Sequence, residues 1–327
     1  MKSWGMAAGL VLLVAAAVVE DGHAIEPENM QRSAAERALM QGDVDAAVAG
    51  LRGYLSANPK DGQAHFLLCR AFYSEDLADA AVGECEAAMN DLSSNSEAQD
   101  WLGRACGQKA QGAGYIAGYR LAHRVQAAFE RAVEIDPKNG SAVDDLAEYY
   151  IAAPSIIGGG IDKAIALADR ELKLTPQAAH RTYALAAEAN KDYTRAEAEF
   201  RAAVMVGFRA EAWADLGHYY ARRRQFDDAV AALRKCMEAD KQMDYAVVDA
   251  ASILMEIDRV PELSEHLLRG YLEGRSKSDD APAFKVHLQL GRLLEKKGDK
   301  AGAKIEFDAA LAQVHDYGAA KKALQSL

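Results

Sequence analysis

The sequence predicts an all-α protein, a right-handed superhelix of about eight helix-turn-helix units closed by a short C-terminal helix. Three observations carry this. Apolar residues recur at helical spacing in blocks of about 34 residues, the mark of a repeat array rather than of one closed core. Half of the residues are apolar but only 7% are aromatic, so alanine fills much of the apolar stripes. Alanine is the best helix former and lets helices approach closely. The few prolines fall mostly at unit ends or in loops, as at Pro59, Pro137 and Pro176. The residue before a proline is pushed out of the helical region, which ends a unit.

The clearest unit is residues 210–243. Trp213, Leu216, Gly217 and Tyr220 stand at W-x2-L-G-x2-Y spacing, and Ala229 and Leu233 follow in the second helix. On these residues the chain resembles the tetratricopeptide-repeat (TPR) family, and the resemblance implies a TPR solenoid. Its units would bury their apolar faces only by stacking, with the first helix of each unit lining a concave groove.

The other units follow in register. The first, residues 28–61, turns at Gly42-Asp43 and buries Ala47 and Leu51; its Ala- and charge-rich first helix suits an end cap. The second, 62–95, carries Leu68, Cys69 and Phe72, then Ala81, Cys85 and Ala88. The third pairs Leu102, Gly103 and Cys106 with Val125, Phe129 and Ala132. Within residues 108–124 it holds about ten more residues than a unit needs, which predicts an extended helix pair with a glycine loop near 112–118. The fourth has Leu146, Ala147 and Tyr150, an insertion at 153–160, then Ala164 and Ala168. The fifth, 177–209, turns at Lys191-Asp192-Tyr193 and the degenerate seventh, 244–279, keeps Leu254, Leu263 and Leu267. The eighth has Leu290, Gly291 and Leu294, a Gly298-Asp299 turn, then Ala303, Phe307 and Ala310; residues 318–327 would cap the array.

The N-terminus reads as an address. Lys2 precedes an apolar and small-residue run over 6–19, with Gly22 and Ala24 placed for a cut before Ile25. This is the layout of a signal peptide over residues 1–24, leaving a solenoid over 25–327, and it implies an exported, periplasmic or secreted protein. The alternative is an uncleaved anchor, for which the run is shorter than the roughly 20 residues a membrane span requires. Four cysteines, Cys69, Cys85, Cys106 and Cys236, fall at core positions, where a free cysteine behaves as a small hydrophobe. Cys69, Cys85 and Cys106 sit on three successive helices, and an exported chain leaves one bridge among them open.

A net charge of −11 argues against nucleic acid as a partner. No H-E-x-x-H, G-x-S-x-G or C-x-x-C pattern appears, so neither catalysis, nor a metal, nor a cofactor is expected. Gly158-Gly159-Gly160 lacks the lysine and hydroxyl of a phosphate loop and reads as a wide turn. The stretch APSIIGGGIDKA resembles the interrupted repeat of exported bacterial TPR proteins, including the TPR components associated with tripartite (TRAP) substrate transporters. That resemblance implies contact with an extracytoplasmic binding protein, or a small ligand held in a pore.

The groove faces of the first helices supply the candidate partner-binding residues. They are Phe66, Arg70 and Tyr73, then Asp100 and Arg104, then Glu148, Arg181, His218 and Arg222. Mixed charge and aromatic rings suit an extended peptide, whereas the Lys and Asn clamp of some TPR proteins is not repeated. Tyr115, Tyr119, Arg120 and His123 in the first insertion are further candidates, for binding or for packing on a neighbour. The expectation is a non-catalytic scaffold for a protein or peptide; the alternative is a substrate-handling component associated with a transporter.

Overall fold

The computed structural model describes residues 27–275 and 277–327, so the expected signal peptide lies outside the described residues. All regular structure among them is helical. Eight antiparallel pairs follow one another: α1 (Pro27–Gln41) with α2 (Val44–Ala57), α3 (Gly62–Ser74) with α4 (Ala78–Leu92), α5 (Ser96–Gln111) with α6 (Tyr115–Ile135), and α7 (Gly140–Ala152) with α8 (Ile161–Glu171). Then come α9 (Pro176–Ala189) with α10 (Tyr193–Gly207), α11 (Ala210–Arg222) with α12 (Phe226–Ala239), α13 (Tyr245–Glu256) with α14 (Pro261–Glu273), and α15 (Ala283–Lys296) with α16 (Lys300–Gln313). A short α17 (Gly318–Ser326) packs on α16 and α15. From α1 to α13, each first helix touches the first helix of the next pair, so these helices form one wall of a helical repeat solenoid.

A recurrent turn joins the helices of a pair. Gly42, Asp76, Lys191, Arg224, Asp258 and Gly298 all adopt left-handed φ, between 54° and 87°. In each case the following amide reaches back over the turn, as from Asp43 N to Ala38 O, Leu77 N to Phe72 O and Asp299 N to Leu294 O, all at 2.9 Å. This satisfies carbonyls that the helix end would leave orphaned. Side chains then cap several following helices: Asp43 accepts from Ala46 N, Asp192 from Arg195 N and Asp299 from Gly302 N.

The two expected insertions replace this turn in pairs three and four. The first takes a different form from the expected glycine loop over 112–118. Only residues 112–114 form the turn; Gly118 lies inside α6, which begins at Tyr115, almost two turns before its buried stripe of Leu121, Val125 and Phe129. The second is a short 3-10 turn, Ser155–Ile157, laid against α6. Tyr149 Oη donates to the loop through Ile157 O and also bonds Ala122 O at 2.9 Å, tying loop and helix together. A Cβ at Gly159 would lie 1.7 Å from Ala153 O, so the glycines are needed for close backbone approach.

Within a pair the helices meet most closely at one repeated position. A Cβ on Gly217 would lie 2.6 Å from Leu233, one on Gly291 2.3 Å from Phe307, and one on Gly103 2.4 Å from Phe129. In the second pair that position holds Cys69 and Cys85, which form a disulfide with their Cα atoms 5.1 Å apart. The bridge left open among Cys69, Cys85 and Cys106 thus falls to Cys69 and Cys85; Cys106 and Cys236 are free and buried.

The ends of the array meet. Lys277 N donates to Met40 O at 2.7 Å, His315 N donates to Asp45 Oδ2 at 2.7 Å, and α16 touches α2. A Cβ at Gly42 would lie 2.7 Å from Ala283 Cβ. The segment before α15 thus covers the turn of the first pair, while α1 itself over residues 31–41, apart from Ala35 and Leu39, stays largely exposed.

Candidate binding face and interior cavity

The inner wall is built from charged side chains that the repeat brings into the same register on neighbouring first helices. On α3, the Arg70 guanidinium lies 5.5 Å from the Phe66 ring centre and 5.7 Å from that of Trp101 on α5. Its Nη2 binds Asp279 Oδ2 at 2.5 Å. Tyr73 sits edge-on to Trp101, with ring centres 5.2 Å apart. On α5, Arg104 binds Asp145 of α7 and, through Nη1, Asp280 at 2.9 Å; Asp100 lies 3.4 Å away and the Ser141 hydroxyl 2.6 Å.

One guanidinium thus faces three carboxylates. Asp100 is only 2% exposed, and burial beside Asp145 pushes its carboxyl well above the usual carboxylate range. Burial also raises Asp145, while Arg104 opposes the rise. A proton held by Asp100 reduces the negative charge gathered around Arg104.

Further along, Arg181 of α9 reaches the two neighbouring first helices, α7 and α11. It binds Asp215 of α11 at 3.0 Å and Glu148 of α7 at 2.5 Å, and it faces Asp144 at 3.5 Å. Arg222 binds Glu188 at 2.6 Å. His218 is half-buried, and desolvation together with nearby Arg222 lowers its pKa.

The structure therefore gathers Phe66, Arg70, Tyr73, Asp100 and Arg104 into one cluster, Glu148 and Arg181 into a second, and sets His218 and Arg222 beside the latter. Phe66 and Asp100 are buried supports rather than open contact residues. Tyr115, Tyr119, Arg120 and His123 are elsewhere: they lie on the exposed N-terminal part of α6, a second helix, and Tyr115 is 86% exposed. Sequence reasoning missed Trp101, Asp145, Asp249, Glu256, Asp279 and Asp280. The last two follow α14 in a non-helical segment just before Pro282, and the adjacent acids were their only sequence signal.

Two open spaces border this wall. The larger, about 1050 Å³, lies between α7, α9, α11 and α13 and extends to Arg104 and Asp280. Eight carboxylates line it, among them Asp144, Glu148, Asp215, Asp249 and Glu256, against four cations: Arg104, Lys138, Arg181 and Arg209. Burial raises the Asp144 carboxyl to about 7, with Arg181 opposing. Asp249 is open to the cavity yet flanked by protein, and desolvation and the charges of Asp215 and Asp280 raise it to about 7. Asp144 Oδ1 and Arg181 Nη1 have no hydrogen-bond partner among the described residues. The smaller space, about 780 Å³, lies beside Arg70, Trp101, Arg104 and residues 277–280.

Residues 210–243 match the tetratricopeptide repeat family. The chain thus carries a TPR unit at the place where the sequence motif is most regular, within a helical repeat solenoid. No curated protein matches the chain. Among solved structures, it is similar to a thermophilic TPR protein of Thermus thermophilus, with 17% identity, a TM-score of 0.46, and coverage of 70% of this chain and 99% of that one. It is also similar to a tetratricopeptide repeat protein from Parabacteroides merdae, with 12% identity, a TM-score of 0.46, and coverage of 91% and 97%. A third, YrrB, described as a TPR protein with an unusual peptide-binding site, shows 17% identity, a TM-score of 0.39, and coverage of 61% and 98%.

Proposed function

We propose that this protein is a non-catalytic scaffold that binds a protein or peptide segment on its inner wall, in the cavity between α7, α9, α11 and α13. The observation that carries the reading is unspent polar capacity at the cavity wall. Asp144 Oδ1 and Arg181 Nη1 meet only each other, in a long ion pair at 3.5 Å with no hydrogen bond, and Asp249 forms no ion pair among the described residues. Buried polar groups are normally satisfied, so a wall that leaves some free is suited to a polar ligand. The excess of carboxylates favours lysine or arginine side chains in the bound segment.

Capture of partners from the native cell envelope tests this. Asp249→Asn combined with Glu256→Gln should cut recovery by roughly tenfold, the scale of losing one charge-assisted contact, while circular dichroism stays helical. Recovery equal to that of the unaltered protein would move binding off this wall. The carboxyls near 7 fix the sign of a pH effect: they ionise as pH rises through 7, so a basic segment should bind more tightly at pH 8 than at pH 6.

Meeting ends support a second reading, a holder for a small charged substrate associated with a transporter. A walled cavity with converging polar groups suits such a ligand as well as a peptide. Retention of a small molecule through purification under native conditions, seen by mass spectrometry, would favour it.

Export is part of the proposal and rests on the N-terminal residues alone. Mass spectrometry of the protein from its native compartment should find Ile25 as the first residue; an intact Met1 would exclude cleavage. No described helix is long and apolar enough to cross a membrane.

A further inference from the structure

The segment joining α14 to α15 does something that a repeat connection does not require. Instead of a tight turn, residues 277–282 lie against the first pairs of the array and present two consecutive carboxylates to two arginines. Asp279 Oδ2 accepts from Arg70 Nε and Nη2, both at 2.5 Å, and Asp280 accepts from Arg104 Nη1 at 2.9 Å. The partners are 209 and 176 residues apart in the chain. We propose that Arg70, Arg104 and Trp101 form a recognition cradle for two adjacent carboxylates on an extended partner peptide, and that Asp279-Asp280 is a built-in occupant which such a partner displaces. The inference rests on the reading that the inner wall binds peptide, and it adds a subsite and the chemistry that subsite selects.

The cradle has the features of a carboxylate reader. Arg70 and Arg104 stand one repeat apart, at the same position of α3 and α5, so consecutive carboxylates on an extended strand can meet one each. Trp101 lies under both guanidinium groups, 5.7 Å and 5.1 Å from their central carbons, and restricts their planes. Arginine pairs with carboxylates through two parallel bonds, which gives geometric selectivity as well as attraction.

The present occupant is held unevenly. Asp279 is well enclosed, with its side chain 11% exposed, but Asp280 is 49% exposed and is the third carboxylate on Arg104, after Asp145 and Asp100. Its own charge adds to the repulsion that keeps Asp100 protonated. Beside this pair lies the open space of about 780 Å³, bordered by Lys138 and Ser141, through which a longer strand could continue toward α7.

The test uses the chain's own segment as the probe. A synthetic peptide of residues 274–284 is titrated onto the full chain carrying Asp279→Asn and Asp280→Asn. The vacated cradle should bind it at least roughly tenfold more tightly than the unaltered protein, whose cradle is filled intramolecularly. The same peptide with both aspartates changed to asparagine should not bind, and adding Arg70→Gln to the vacated chain should abolish binding. Equal binding by vacated and unaltered chains would overturn the proposal, as would binding indifferent to Arg70→Gln. Loss of helical circular dichroism in the vacated chain would overturn it too, by making the pair a structural tie. Because the probe is not the natural partner, failure here leaves the Asp249 and Glu256 experiment free to decide the broader reading.

Discussion

Replacing Arg104 by methionine should destabilise the protein by about 3–5 kcal/mol at neutral pH, the usual cost of removing one member of a buried ion pair. The Arg104 side chain is 15% exposed, and Asp100 and Asp145 beside it are 3% and 21% exposed, so solvent screens the cluster weakly. Without the guanidinium, three carboxylates would share one site with no cation. The loss should depend on pH in a set direction. In the folded protein the Asp100 and Asp145 carboxyls lie above their ordinary value, so the folded state holds protons that the unfolded chain releases near pH 4. Their contribution is most favourable below that pH and is lost as pH rises through the folded values. Removing Arg104 raises those values further, so the variant should approach the parent near pH 4 and fall steadily behind it toward pH 8. Denaturant unfolding at four or five pH values measures this, and a pH-independent difference would mean that Arg104 acts by packing alone. Asp100→Asn supplies the complement: an amide can donate as the protonated carboxyl does, so stability should change little below pH 4 and improve progressively toward pH 8.

The second large effect is steric. Leucine at Gly291 should cost about 1–3 kcal/mol or more through overpacking, because its Cβ alone would stand 2.3 Å from the Phe307 ring. Gly217 and Gly103 should behave alike, against Leu233 and Phe129. Gly53 is the control: nothing lies within 4 Å of a Cβ there, and it sits within α2. Gly53→Ala should therefore stabilise by about 0.5–1 kcal/mol through helix propensity. Thermal unfolding of the four variants decides it, and a neutral Gly291→Leu would mean that α15 and α16 are packed in another register.

These close contacts show how much of the fold could be read in advance. Gly217 and Leu233 are sixteen residues apart, as are Gly291 and Phe307; Gly103 and Phe129 stand ten further apart, the length of the first insertion. Cys69 and Cys85 are also sixteen apart. Their register was visible in the sequence, and it marks the contact that brings them within bonding reach. Burial alone did not show it, since a core position suits a free thiol equally well. The length of the first insertion was legible, but its form was not. Glycines at 112, 114 and 118 look alike in the sequence, and the residues around Gly118 are largely exposed, so no buried stripe ahead of Leu121 marks which of them is helical.

The candidate site divides along the same line. Arg70, Arg104, Glu148, Arg181, His218 and Arg222 were placed on first helices by periodicity, because each position repeats with the unit. Their partners were partly hidden. Glu188, Asp215 and Asp145 follow from neighbouring units in register, whereas Asp279 and Asp280 come from a segment outside any repeat.

What the sequence by itself determined is the local and nearest-neighbour structure: helices, most turns, the stacking order and the faces that meet. A repeat array is nearly one-dimensional, so such contacts recur at a fixed spacing and can be counted along the chain. Only the tertiary structure decided that the ends meet and that an acidic segment reaches across to Arg70 and Arg104. Closure depends on small angles between units, summed over the whole array, and no single residue encodes that sum. A carboxylate in a polar loop looks the same whether it meets water or an arginine about two hundred residues away, and the difference arises only when the accumulated curvature brings the two together.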